Sequence, residues 1–82
     1  MRYILIVFAS RRDSLFLLER LQAYNIRAEI TNTPRQLNLS CGISVKTSER
    51  NINTVKRILY SNSFRTFSGI YLFDGNQYLK YN

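Results

Sequence analysis

Cys41 is the one cysteine among 82 residues, and its thiolate is the side-chain form best suited to nucleophilic attack or group transfer. Ser40 sets a hydroxyl on one side of it, and Gly42 removes a side chain on the other. Arg11, Arg12, Arg35 and Arg65 are the cations that a fold can bring near it. Beside a helix N-terminus and arginines, a thiol drops from a pKa of about 8.5 to between about 3.5 and 7.5. The expectation is an exposed, acidic Cys41 inside a basic collar. The plainer reading is a small buried hydrophobe at the start of a strand. A single thiol can hold a group and pass it on, whereas disulfide exchange needs a second cysteine as resolving partner. The chain has no histidine, so the usual soft-ligand metal site is not expected, nor is a cofactor. The five carboxylates (Asp13, Glu19, Glu29, Glu49, Asp74) fall mostly on expected helix and strand surfaces, which disfavours acid–base or metal-dependent enzymes.

Those residues need elements to hold them. Residues 2–9 form a continuous apolar run rich in β-formers, as in a central strand buried on both faces. Ser10, three before Asp13, reads as a capping box opening a helix over about residues 11–24. Its apolar positions are Leu15, Leu18 and Leu21, with Leu17 and Tyr24 beside them. Asn25 supplies a left-handed stop, and residues 26–31 alternate as a half-buried strand. Residues 32–42 have no period. Within them Thr33 is read as a cap and Pro34 as the first position of a short helical turn. Ile43, Val45 and Thr47 then alternate with Ser44 and Lys46 as a third strand. Ser48 opens a second helix with an Ile52-Val55-Ile58-Leu59 stripe. Residues 69–73 form a fourth strand, and Asp74-Gly75 turns into a short fifth over residues 77–81.

The order β-α-β-β-α-β with a C-terminal hairpin predicts an α+β, ferredoxin-like sheet with both helices on one face, in a single domain over residues 1–82. Tracing directions brings Ser10-Arg11-Arg12, the 32–42 loop and residues 61–65 to one end of the sheet. Twelve Lys and Arg against five Asp and Glu give a net charge of +7, which suits anionic partners. The apolar start reads as a strand rather than a signal peptide, and no stretch approaches the about 18 apolar residues of a membrane span. With a free thiol, that assigns the chain to the cytoplasm and predicts no membrane partner.

The opening Tyr3-Ile4-Leu5-Ile6-Val7-Phe8-Ala9-Ser10, the Thr33-Pro34-Arg35 turn, the Ser40-Cys41-Gly42 triplet and the late Gly69-Ile70-Tyr71 resemble the family of short bacterial Se/S carrier-like proteins, formerly a domain of unknown function. The resemblance covers residues 3 to about 72, and the Thr-Pro-Arg turn followed by Ser-Cys-Gly is its most specific part. It implies that Cys41 carries sulfur or selenium as a persulfide or selenopersulfide. Donor and acceptor proteins would be its partners, and it would act as a carrier rather than a turnover enzyme. The 74–82 extension departs from the family pattern and suggests a separate structural role.

Two other readings compete. The same element order serves RNA-binding modules, which stack bases on aromatics of the two central strands. The third strand here offers Ser44 and Lys46 on one face and Ile43 and Val45 on the other, so nucleic acid is disfavoured. A regulatory or scaffolding module is the third reading. The first strand also sends Tyr3, Leu5 and Val7 to the face opposite Ile4, Ile6 and Phe8. One set must face away from the helices, which predicts a homodimer built on the open sheet face.

Overall fold

A computed structural model describes residues 2–37 and 42–81; Ser40 and Cys41 lie outside the described residues. The strands are β1 (Tyr3–Phe8), β2 (Ala28–Asn32), β3 (Ile43–Ser48), β4 (Phe67–Phe73) and β5 (Tyr78–Lys80); the helices are α1 (Arg11–Ala23) and α2 (Ile52–Ser61). Short 3-10 turns cover Arg35–Leu37 and Glu49–Asn51. All strand pairs are antiparallel, in the order β2-β3-β1-β4-β5. The expected α+β class with two helices and an antiparallel sheet therefore holds among the described residues. None of the described helices is long and apolar enough to cross a membrane.

The alternation of β1 sorts the molecule into two sides. Ile4, Ile6 and Phe8 join Val45, Ile70 and Leu72 of the sheet with Leu17 and Leu21 of α1 and Val55 and Ile58 of α2 in one core. The α2 stripe is as its spacing predicts, with Ile52 and Leu59 packed at the margin of that core. α1 differs. Its buried face is Ser14-Leu17-Leu21, while Leu15 and Tyr24 are 42% and 50% exposed. A run of leucines at positions 15, 17, 18 and 21 fits two overlapping helical stripes, and packing on the sheet selects the one carrying Leu17. Asn25 takes the left-handed backbone (φ 61°) that ends the helix, and its N–H donates to the Gln22 carbonyl.

The expected turn after β4 is displaced by one residue. Phe73 pairs with Tyr78, and the Asp74 N–H donates to the Gln77 carbonyl at 3.2 Å, so Gly75-Asn76 rather than Asp74-Gly75 occupies the corner. Gly75 has φ 101°, a conformation that favours glycine. The Asp74 carboxylate accepts from the N–H groups of Asn76 and Gln77, both at 2.9 Å. Those bonds hold its carboxyl below the usual range. At the other end of β4 the register slips between Val7 and Phe8, beside Gly69 at φ 153°.

The face without helices carries Tyr3, Leu5 and Val7, as alternation predicts. Leu5 and Val7 are nevertheless 1% and 0% exposed within a single chain. An aromatic row spreads over this side. Tyr3 and Phe73 have ring centres 5.0 Å apart, Phe73 and Tyr78 4.8 Å, and Lys46 Nζ sits 4.3 Å from the centre of the Tyr3 ring. Leu5 and Val7 are thus buried within the single chain, and Tyr3, Tyr71, Phe73 and Tyr78 are the partly exposed apolar residues of this face.

The Tyr3 and Tyr78 hydroxyls lie 3.1 Å apart. Burial, with the Tyr3 hydrogen bond, pushes the Tyr78 phenol from 10.0 up to about 12. Because the folded value is raised, the stability Tyr78 contributes is complete below pH about 10 and is lost as pH rises from there through about 12. An alkaline absorbance titration should show one late-ionising tyrosine that Tyr78→Phe removes. Ionisation of Tyr78 together with the exposed tyrosines would contradict this.

Candidate functional site

The C-terminal end of β1 and the N-terminal ends of β3 and β4 share one edge of the sheet, and α1 starts there. Ser10 caps α1 through its hydroxyl, which accepts from the Arg12 N–H at 3.2 Å. The expected capping box does not form, because the Asp13 carboxylate turns away to Thr66. It accepts from Thr66 Oγ1 at 2.6 Å and from the Thr66 N–H at 3.1 Å. Thr66 Oγ1 in turn accepts from the Ser10 N–H at 3.0 Å, and the Thr66 carbonyl accepts from the Ala9 N–H at 2.8 Å. The α1 start is therefore clamped to the segment entering β4, a partnership 53 residues apart that local spacing does not signal.

Ser10, Arg12, Asp13, Phe16, Arg65 and Thr66 line an open hollow of about 610 Å³ beside this clamp. Asp13, the acid in that lining, is tied to Thr66. What the hollow offers is two arginines and the positive end of a 13-residue helix, a setting that favours anions. Arg11 is exposed at the same helix start. The expected convergence of the α1 start with the segment before β4 is present, and Arg65 joins Arg12 in it.

The 33–42 loop springs from the same end of the sheet by way of β2 and β3. Val7 pairs with Ser44, so Gly42 and Ala9 lie two residues further along their strands. The Thr33 N–H donates to the Gly42 carbonyl at 3.0 Å, extending the β2–β3 ladder by one bond. The Thr33 hydroxyl lies 2.6 Å from that of buried Ser44. Thr33 was expected to cap a helical turn; instead it fastens the base of the loop to β3. The turn itself forms one residue later, at Arg35–Leu37, closed by the Leu37 N–H donating to the Pro34 carbonyl at 3.1 Å. Arg35 is exposed there and is not among the described residues lining the hollow.

Gly42 is exposed, and a Cβ placed on it meets nothing within 4 Å. Among the described residues, packing alone does not demand a glycine there. Cys41 and Ser40, the central expectations of the sequence, lie outside the described residues. The structure thus gives the loop's two anchored ends, Thr33 and Gly42, and a basic end of the sheet beside them.

A family model described as "Putative Se/S carrier protein-like" matches residues 3–71, a span that includes the Ser40-Cys41-Gly42 triplet and every residue of the hollow. No curated protein and no solved structure matches the chain.

Proposed function

We propose that this chain, which belongs to the Se/S carrier-like family, carries sulfur or selenium on Cys41 and hands it between partner proteins. The observation that carries the reading is that the family match spans the only cysteine in the sequence. In the loading step the Cys41 thiolate attacks the terminal sulfur of a donor protein's persulfide. The donor S–S bond breaks, the donor leaves as a thiolate, and Cys41 becomes a persulfide with no net oxidation. In delivery an acceptor nucleophile attacks the outer sulfur and Cys41 leaves as thiolate. The same bookkeeping serves selenium.

The surroundings support this chemistry. The α1 N-terminus, Arg11, Arg12 and Arg65 form a positive end of the sheet from which the 33–42 loop also emerges. Positive potential stabilises a thiolate and a persulfide anion alike. Gly42 is exposed with open space where a Cβ would sit, which supports access for a partner's reactive sulfur, and Ser40 precedes Cys41 in the sequence. Arg35, on the turn after Pro34, completes the basic collar in this reading. The ferredoxin-like assignment belongs to the same proposal. It is supported by β3 and β4 flanking β1, with β5 added beyond β4.

Incubation with a cysteine desulfurase and cysteine, followed by intact mass measurement, tests the proposal. Wild type should gain one sulfur atom, reversibly with a reducing thiol, and Cys41→Ser should gain none. Gly42→Ala should slow loading while moving stability by no more than about 0.5–1 kcal/mol, because nothing crowds a Cβ there. Arg35→Ala should do the same within about 0.5 kcal/mol, as an exposed change. Equal sulfur gain by wild type and Cys41→Ser, or none by wild type, defeats the carrier reading.

A further inference from the structure

The open face of the sheet combines features that the carrier reading does not use. Tyr3 of β1, Tyr71 and Phe73 of β4 and Tyr78 of β5 all lie on it, each partly exposed. Register places Tyr3 opposite Phe73, Phe73 opposite Tyr78, and Tyr71 opposite Lys80. Rings from three adjacent strands thus form one surface, with Lys46 against Tyr3 and Lys80 beside Tyr71. From Tyr3 and Lys46 a groove of about 820 Å³ continues round the end of the sheet, where Arg2, Arg27 and Arg50 line it. Glu29 is the one acid among its described lining residues and lies 3.7 Å from Lys46 Nζ as a partly exposed pair that a phosphate can displace; a second acid, Glu49, grips Arg2 from outside at 2.8 Å. This groove lies at the start of β1, the opposite end of the sheet from Gly42.

We propose that this face binds single-stranded nucleic acid, with Tyr3, Tyr71, Phe73 and Tyr78 as a stacking surface and Lys46, Lys80 and the groove arginines as phosphate contacts. The chemistry requires that combination. Bases offer flat faces that stack on aromatic rings without sequence preference, and a basic track follows the backbone. Sequence reasoning disfavoured nucleic acid because β3 has no aromatic; the structure supplies the rings from β1, β4 and β5, while β3 contributes the amine of Lys46. A second copy of the chain suits the face less well. It would set two surfaces bearing Lys46 and Lys80 against each other on chains of net charge +7. An acidic protein would meet the cations but leave the rings without stacking partners.

The test uses dye-labelled 10-nucleotide RNA and DNA single strands, and a duplex of the same length, followed by anisotropy at two salt concentrations. Single strands should bind more tightly than duplex. Tyr3→Leu with Phe73→Leu, which keeps apolar bulk, should weaken binding by about tenfold or more. Lys46→Gln should lower the slope of log affinity against log salt by about 0.7. Ultraviolet crosslinking of the wild-type protein needs no variant to fold and should label peptides containing Tyr3, Tyr71 or Tyr78. Cys41→Ser should bind as wild type does, so failure here leaves sulfur loading unaffected and the reverse. Absent binding, equal affinity for duplex, full affinity in the leucine variant, crosslinks confined to other surfaces, or a dimer that forms through this face in place of binding would each overturn the proposal.

Discussion

Ile6→Ala should cost about 3–5 kcal/mol of folding stability. Ile6 is fully buried at the middle of β1, paired with Val45 on one side and Ile70 on the other, both themselves fully buried. Leu17, Leu21, Val55 and Ile58 close the same core from the helices. The strand has sheet neighbours on both edges and cannot shift to fill the space, so the lost methylene and methyl groups leave a cavity. A chain of this size is expected to be stable by about 4–12 kcal/mol, so the variant should keep only part of it. Urea titration should show a large fall in midpoint with an unchanged slope. Leu15→Ala, on the exposed side of α1, should cost under about 1 kcal/mol. A cost for Leu15→Ala like that of Leu17→Ala would return α1 to the face its leucine spacing first suggests.

Period carried much of the fold. A strand whose two residue sets are both apolar has to lie centrally, and β1 does; the α2 stripe admits one face, and α2 buries it. Leucine-rich α1 admits more than one, and the choice belongs to the sheet beneath it. The β5 hairpin was legible as a turn but not in its register. Asp74 captures two amides with its carboxylate and so sits outside the corner instead of in it. At the candidate site, topology alone brought Arg12 and Arg65 to one end of the sheet. It could not reveal that Thr33 would spend its hydroxyl on Ser44, because that bond depends on the β2–β3 register. The aromatic face was missed for a related reason. Tyr3, Tyr71, Phe73 and Tyr78 are scattered along the sequence, and only strand pairing gathers them.

The clamp on the α1 start gives the second large effect. Asp13→Ala should lower stability by about 1.5–3 kcal/mol, the range for hydrogen bonds to a charged group. Four hydrogen bonds join residues 9–13 to Thr66, and the Thr66 hydroxyl both donates to Asp13 and accepts from the Ser10 N–H. Removing the carboxylate frees two Thr66 donors at once and leaves the hydroxyl unoriented toward Ser10. Asp13→Asn keeps an acceptor of similar reach and should lose less than alanine does. Thr66→Val keeps the shape but strands the Ser10 N–H, so it should lose about as much as Asp13→Ala. Because Arg12 and Arg65 line the hollow on either side of this clamp, Asp13→Ala should also slow sulfur loading at temperatures where the chain remains folded. Calorimetry gives the stability term, and loading rates followed by intact mass give the functional one. A stability loss below about 0.5 kcal/mol would make Asp13 an ordinary surface acid. A full loss with unchanged loading would show that the clamp serves the fold alone and that the positive end of the sheet acts without it.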